Sequence, residues 1–209
     1  MRYDWEEFVN TNVADPQTVI DAVDWDMWIW QPGMPPALEV LDFSNPDQQK
    51  ADDLADAYID LKGQSSPANY LDYMSFYANQ KVLFLLELID RENEFTSTLM
   101  AKLDSDLQIT ADANPEVKER WYPLGIRKGY MPVFEPAHEF VSVQGRMKYL
   151  NPIYGALWDY GYQTTALMWF EENEDFYHPI AVQTLKTNIF SDPSASEEEV
   201  LATKRRLRQ

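Results

Sequence analysis

The sequence predicts an all-α protein built from about eight to ten short helices joined by short loops. Three observations carry this. Proline follows directly on Asp, Asn or His at six places, Asp15-Pro16, Asn45-Pro46, Asn114-Pro115, Asn151-Pro152, His178-Pro179 and Asp192-Pro193. A short polar cap followed by proline at the first helical position starts a helix, because proline lacks only an amide that has no partner there. The stretches after these dipeptides carry apolar residues at helical spacing. No strand-like alternation and no Asn-Gly or Asp-Gly hairpin turn occurs. Consecutive short helices of this kind stack as a layered bundle or a curved solenoid, although no clean sequence period marks a formal repeat.

From Pro16, the run PQTVIDAVDWDMWIW places Val19, Val23, Met27 and Trp30 on one stripe of a single helix. From Pro46, a helix presents Leu54, Ala57, Tyr58 and Leu61 and stops at Gly63. QKVLFLLELIDREN is apolar almost all round and reads as a buried helix. The segments FTSTLMAKLDSDL, PEVKERWYPLGIRKG, PVFEPAHEFVSVQ, PIYGALWDYG, TTALMWFEENEDF and PIAVQTLKTNIF follow as further helices. Pro123 and Pro136 are expected to kink or shorten theirs, and His178 is the weakest of the six caps. Three prolines and a glycine within QPGMPPALEV, Gln31 to Val40, exclude helix and predict a stiff linker over 32–40. Residues 1–31 then belong to a different unit from 41–190. The tail 191–209 is expected to be helical, because SASEEEVLATKRRLR puts acids first and bases last, as the helix dipole favours.

A content of 45% hydrophobic residues, with seven Trp and twelve Tyr, is enough for a substantial core. No apolar run reaches the roughly 18 residues of a membrane span, and MRYDWEEF lacks the apolar segment of a signal peptide. A cytoplasmic protein with no membrane partner is expected. A net charge of −18 repels phosphate backbones, so nucleic acid is not an expected partner. The absence of cysteine removes disulfide and thiolate chemistry.

His138-Glu139 invites a zinc reading that fails on spacing, since a helical zinc pair needs a second His four positions on and that position is Ser142. His138 is therefore expected to be a hydrogen-bonded structural residue, and no metal is expected to be bound by this chain. The acidic runs Glu171–Asp175 and SEEE read as solvated faces. No pair of carboxylates stands out for acid–base work, and neither a Gly-rich phosphate loop nor a nucleophile elbow is present. Trp25, Trp28 and Trp30 fit either a stacking platform or a helix packed on a neighbouring domain.

Arg146 and Lys148 are the remaining candidates. Residues 116–148 are locally basic, with six Lys or Arg against four Glu. In mid-helix, positions two apart point about 200° from one another. With Gly145 ending one helix and Asn151-Pro152 starting the next, RMKYL becomes an extended connector. Alternate side chains then project together, and Met147 turns into the core. Arg offers a planar fork and Lys a point charge for one carboxylate. The same residues can equally cap carbonyls of the preceding helix or pair with surface acids.

The segments AVDWDMWIWQPGMPP, NPEVKERW, VQGRMKYLNPIY and FYHPIAVQTL, in this order over roughly residues 4–190, resemble the C-terminal region of the leukotriene A4 hydrolase and aminopeptidase family of zinc metalloenzymes. The resemblance implies a two-layer, armadillo-like helical superhelix for 41–190. For 1–31 it implies the last helices of a thermolysin-like catalytic domain. It also implies that Arg146 and Lys148 bind the carboxylate of a peptide or lipid substrate. The family's zinc motif, its peptide-binding strand and its catalytic tyrosine have no counterpart in these residues. The chain is therefore expected not to be catalytic alone and to work with a zinc-containing catalytic domain, on the same or a separate chain. A stand-alone helical scaffold that binds other proteins is the alternative.

Overall fold

Proline after a short polar residue starts helices at some of the expected places and not at others. The computed structural model describes residues 2–33 and 45–190, and the chain divides into two compact units, Met1–Phe43 and Ser44–Gln209. Most of the proline-rich linker and the whole tail 191–209, with Asp192-Pro193, lie outside the described residues.

In the first unit, α1 (Arg2–Asn12) comes first, and α2 (Pro16–Asp21) and α3 (Trp25–Trp30) replace the single helix expected after Pro16. The break has a local cause. Asp24 caps α3 by accepting from the Met27 amide at 3.0 Å, which ends the preceding turn and divides the Val19-to-Trp30 stripe. Asp15 accepts from the Thr18 hydroxyl at 2.7 Å and from no backbone amide. Trp25 packs edge-on against Trp5 at 5.2 Å, under the Arg2 guanidinium, while Trp28 and Trp30 are exposed.

In the second unit the helices are α4 (Pro46–Leu61), α5 (Ala78–Asp90), α6 (Ser97–Leu107), α7 (Pro115–Arg127), α8 (Phe134–Val143), α9 (Met147–Asp159), α10 (Gln163–Asn173) and α11 (Pro179–Thr184). Short 3₁₀ turns link several of them, and a π-helical turn, Leu185–Ile189, continues α11. No strand occurs among the described residues. Asn45 and Asn114 cap α4 and α7 by accepting from the amides two residues on, each at 2.9 Å. His178 does the same for α11 through Nδ1 at 3.2 Å.

Helix α4 packs on α5, α5 on α7 and α7 on α9, while α8 sits beside α10. Stacking of every second helix is the pattern of a two-layer superhelix. The predicted all-α fold is the observed one. Four local expectations change. On α4 the buried face is Ala51, Leu54, Ala55, Tyr58 and Ile59, rotated away from Ala57 and Leu61. On α5, Phe84, Leu85 and Leu88 are buried but Leu86 is 43% exposed, because a helix in a layer keeps one stripe toward solvent. Pro123 lies buried inside α7 without ending it. Pro136 is the third residue of α8, where its missing amide has no intrahelical partner anyway.

Gly63, expected as a stop, follows Lys62 in a left-handed turn and itself has φ +75°. A Cβ there would meet the Leu99 backbone at 2.7 Å, so the glycine also permits the close approach of α6. Among the described residues no helix is long and apolar enough to cross a membrane.

Candidate functional site

The segment that carries Arg146 and Lys148 is a helix start rather than an extended connector. Helix α8 ends at Val143, and Gln144 and Arg146 are extended. The Arg146 carbonyl then accepts from the amides of Tyr149 and Leu150 at 2.9 and 3.1 Å, so α9 begins at Met147. The reason lies in packing. Leu150, Ile153, Tyr154 and Leu157 are all buried, Ile153 and Tyr154 lying three and four residues after Leu150 and Leu157 three residues after Tyr154, and this stripe carries the helix back across Asn151-Pro152. Pro152 therefore stands inside α9. Asn151 is not a cap, and its buried Oδ1 has no hydrogen-bond partner. Met147 is 37% exposed rather than turned into the core. Gly145 lies past the end of α8 and is not among the positive-φ glycines that end helices by a left-handed turn.

The two cations nevertheless meet on one ring. The Arg146 Cζ and the Lys148 Nζ each lie 5.8 Å from the Tyr149 ring centroid, so their separation is at most twice that distance. Tyr149 in turn packs on Phe140 at 5.5 Å, and Lys118 Nζ lies 5.5 Å from the Phe140 ring. Both cations sit at the positive end of α9, where the helix dipole disfavours them and favours an anion.

They differ in what they hold. Lys148 Nζ is paired with Glu116 and lies 3.7 Å from Glu119 Oε2. Glu116 also accepts from the Tyr149 hydroxyl at 3.2 Å and lies 3.4 Å from Arg120 Nη1. The Lys148 ammonium, followed by these neighbours, holds the Glu116 carboxyl below the usual glutamate range. Arg120 is bound more tightly to Glu119, at 2.7 Å. Arg146 is exposed, and among the described residues its guanidinium makes no hydrogen bond or ion pair.

A groove of about 1080 Å³ opens beside this cluster, lined by residues that include Asp104, Lys118, Tyr130, Glu139 and Phe140. Asp104 is fully engaged there, accepting from the Thr110 amide and hydroxyl and from the Tyr130 hydroxyl at 2.9, 2.8 and 2.9 Å. Burial and the Asp104 carboxylate push the Tyr130 phenol up to about 12. His138 stacks on Trp169 at 4.9 Å and 16°. Its Nε2 lies 2.9 Å from Glu172 Oε2 but outside hydrogen-bond geometry, so stacking holds the ring more than the expected hydrogen bond does. Among the described residues no group of three or more His, Cys, Asp or Glu side chains can hold a metal ion.

Sequence reasoning did not single out Glu116 or Tyr149. The adjacency of Tyr149 to RMK was a usable signal, because an aromatic three positions after Arg146 faces it once the segment is helical. Glu116 sits 32 residues from Lys148, and nothing local links them.

Residues 76–189 match the family described as "Leukotriene A4 hydrolase, C-terminal". The chain belongs to this family. Leucine aminopeptidase 2 of Neosartorya fischeri is 29% identical over 177 residues, and its counterpart in Aspergillus clavatus is 32% identical over the same length. Each match takes in 85% of this chain and 28% of the relative, so the chain spans little more than a quarter of the length of these curated relatives. The solved structure of native yeast LTA4 hydrolase superposes with a TM-score of 0.76 at 23% identity, covering 90% of this chain and 32% of that one. At that identity the likeness concerns the fold, and it agrees with the helical superhelix of this leukotriene A4 hydrolase C-terminal domain.

Proposed function

We propose that this domain supplies substrate-carboxylate recognition to a leukotriene A4 hydrolase-like aminopeptidase. Arg146 and Lys148 hold the free carboxylate of a peptide or lipid substrate, and a catalytic domain, on the same or a separate chain, brings the zinc and the hydrolytic groups. Family membership supports the class of enzyme. The observation that carries the site is Arg146 itself: an exposed guanidinium without an ion pair among the described residues, at the positive end of a helix, sharing the Tyr149 ring with a second cation.

The test is reconstitution. The chain is combined with the catalytic domain of a leucine aminopeptidase 2, and tripeptide hydrolysis is compared for Arg146 and for Arg146→Ala. Loss of the guanidinium should lower kcat/KM by about 30- to 1000-fold, the equivalent of about 2–4 kcal/mol. The chain alone should release no amino acid. Equal kcat/KM for the two proteins sinks the assigned role.

A further inference from the structure

We propose that Glu116 is a built-in counter-anion, which occupies the Lys148 half of the carboxylate site and must release it before a ligand is gripped by both cations. This rests on the reading of Arg146 and Lys148 above and adds a regulator to it. Three sources of positive potential meet at the start of α9: Arg146, Lys148 and the first-turn amides of a 13-residue helix. The carboxylate that answers them at hydrogen-bond range comes from α7. Glu116 reaches Lys148 Nζ with one oxygen and the Tyr149 hydroxyl with the other, the latter at 3.2 Å. A substrate carboxylate bound across a cation and a neighbouring hydroxyl would use the same two donors.

The arrangement is asymmetric. Among the described residues Glu116 takes Lys148 and none takes Arg146, so the first contact of an incoming carboxylate falls on Arg146 and the second requires exchange at Lys148. Glu116 need not be lost to solvent in that exchange. Arg120 Nη1 lies 3.4 Å from it and donates to its backbone carbonyl at 2.8 Å, so an alternative cation is already in place. Glu119, 3.7 Å from Lys148, is committed to Arg120 and is the weaker competitor.

The sign of the effect separates this idea from a merely structural role. If Glu116 competes, its neutralisation strengthens carboxylate binding. If it only positions Lys148, neutralisation weakens binding. The full 209-residue chain, ¹⁵N-labelled, is titrated with tri-alanine and with tri-alanine amide, following the amide resonances of Arg146 to Tyr149 by NMR. The free acid should shift them and the amide should not. Glu116→Gln should tighten the free acid by about three- to tenfold, and Glu116→Gln with Lys148→Ala should lose the gain. Amide dispersion reports folding, and Glu116→Ala serves as a second neutral variant. Equal or weaker binding by both neutral variants overturns the counter-anion, while loss of binding in Arg146→Ala leaves the carboxylate reading standing. Undiminished binding by Arg146→Ala overturns that reading instead.

Discussion

The Tyr177 hydroxyl donates a 2.9 Å hydrogen bond to the carbonyl of Val141 and so ties the last turn of α8 to the segment before α11. Val141 carries one of the four terminal carbonyls that a helix cannot satisfy internally. The Tyr154 and Tyr177 hydroxyls lie 2.9 Å apart, so with Tyr177 donating to Val141, Tyr154 donates to Tyr177. The chain of two phenols is buried and links α8, α9 and the start of α11 directly behind the turn that leads to Arg146. Burial pushes the Tyr177 phenol up to about 12, so it remains a donor across the physiological range.

Tyr177→Phe should therefore be costly in a specific way. It keeps the ring and leaves two buried polar groups, the Val141 carbonyl and the Tyr154 hydroxyl, with one fewer partner. A loss of about 1–3 kcal/mol is expected, read from the urea midpoint at unchanged slope. The amide resonances of Gln144 to Lys148 should move with it. A stability within a few tenths of the parent would show that the bond contributes little.

Asn114 holds the first turn of α7, the turn that carries Glu116, by accepting from the Glu116 amide at 2.9 Å. Asn114→Ala should cost about 1 kcal/mol in stability, measured by thermal unfolding. Faster amide exchange is expected at Glu116 and Val117 in the same variant. Unchanged exchange at these two positions would mean that Pro115 alone sets the helix start.

The Glu116 carboxyl titrates below its unfolded value because the Lys148 ammonium, with Tyr149 and Arg120, favours its charged form. The sign follows from linkage. The stabilisation is complete above the unfolded value of about 4.3 and is lost as the pH falls through the lower folded value. Glu116→Gln should thus be less stable than the parent at neutral pH, by less than about 1 kcal/mol for so exposed a pair. The gap should close in acid, between about pH 4 and the folded value. Urea midpoints measured from pH 7 down to pH 3 check this, and a gap independent of pH would exclude the Lys148 pairing as its source.

The fold was legible in the sequence wherever its cause was local. Asn45, Asn114 and His178 each reach an amide two residues away, so polar residue plus proline was a sufficient signal. The same dipeptide misled at Asn151, because burial of Leu150 ahead of Ile153, Tyr154 and Leu157 outweighs a proline boundary. It misled in part at Pro16, where Asp24 starts a new helix within the expected one. At the site, the two cations were legible and their arrangement was not. They come together through Tyr149 at a helix start, not through the alternation of an extended strand.

By itself the sequence determined the all-α class, most helix starts and the family, and it singled out Arg146 and Lys148 as candidates. These rest on contacts within a few residues of chain or on residue order. Only the tertiary structure decided which cation is open. Glu116 comes to Lys148 from another helix, 32 residues away, because α7 and α9 pack together. Arg146, at the cap position just ahead of α9, is left without such a partner among the described residues. Ion pairing depends on distance in space, and in this domain that distance is set by which helices share a layer.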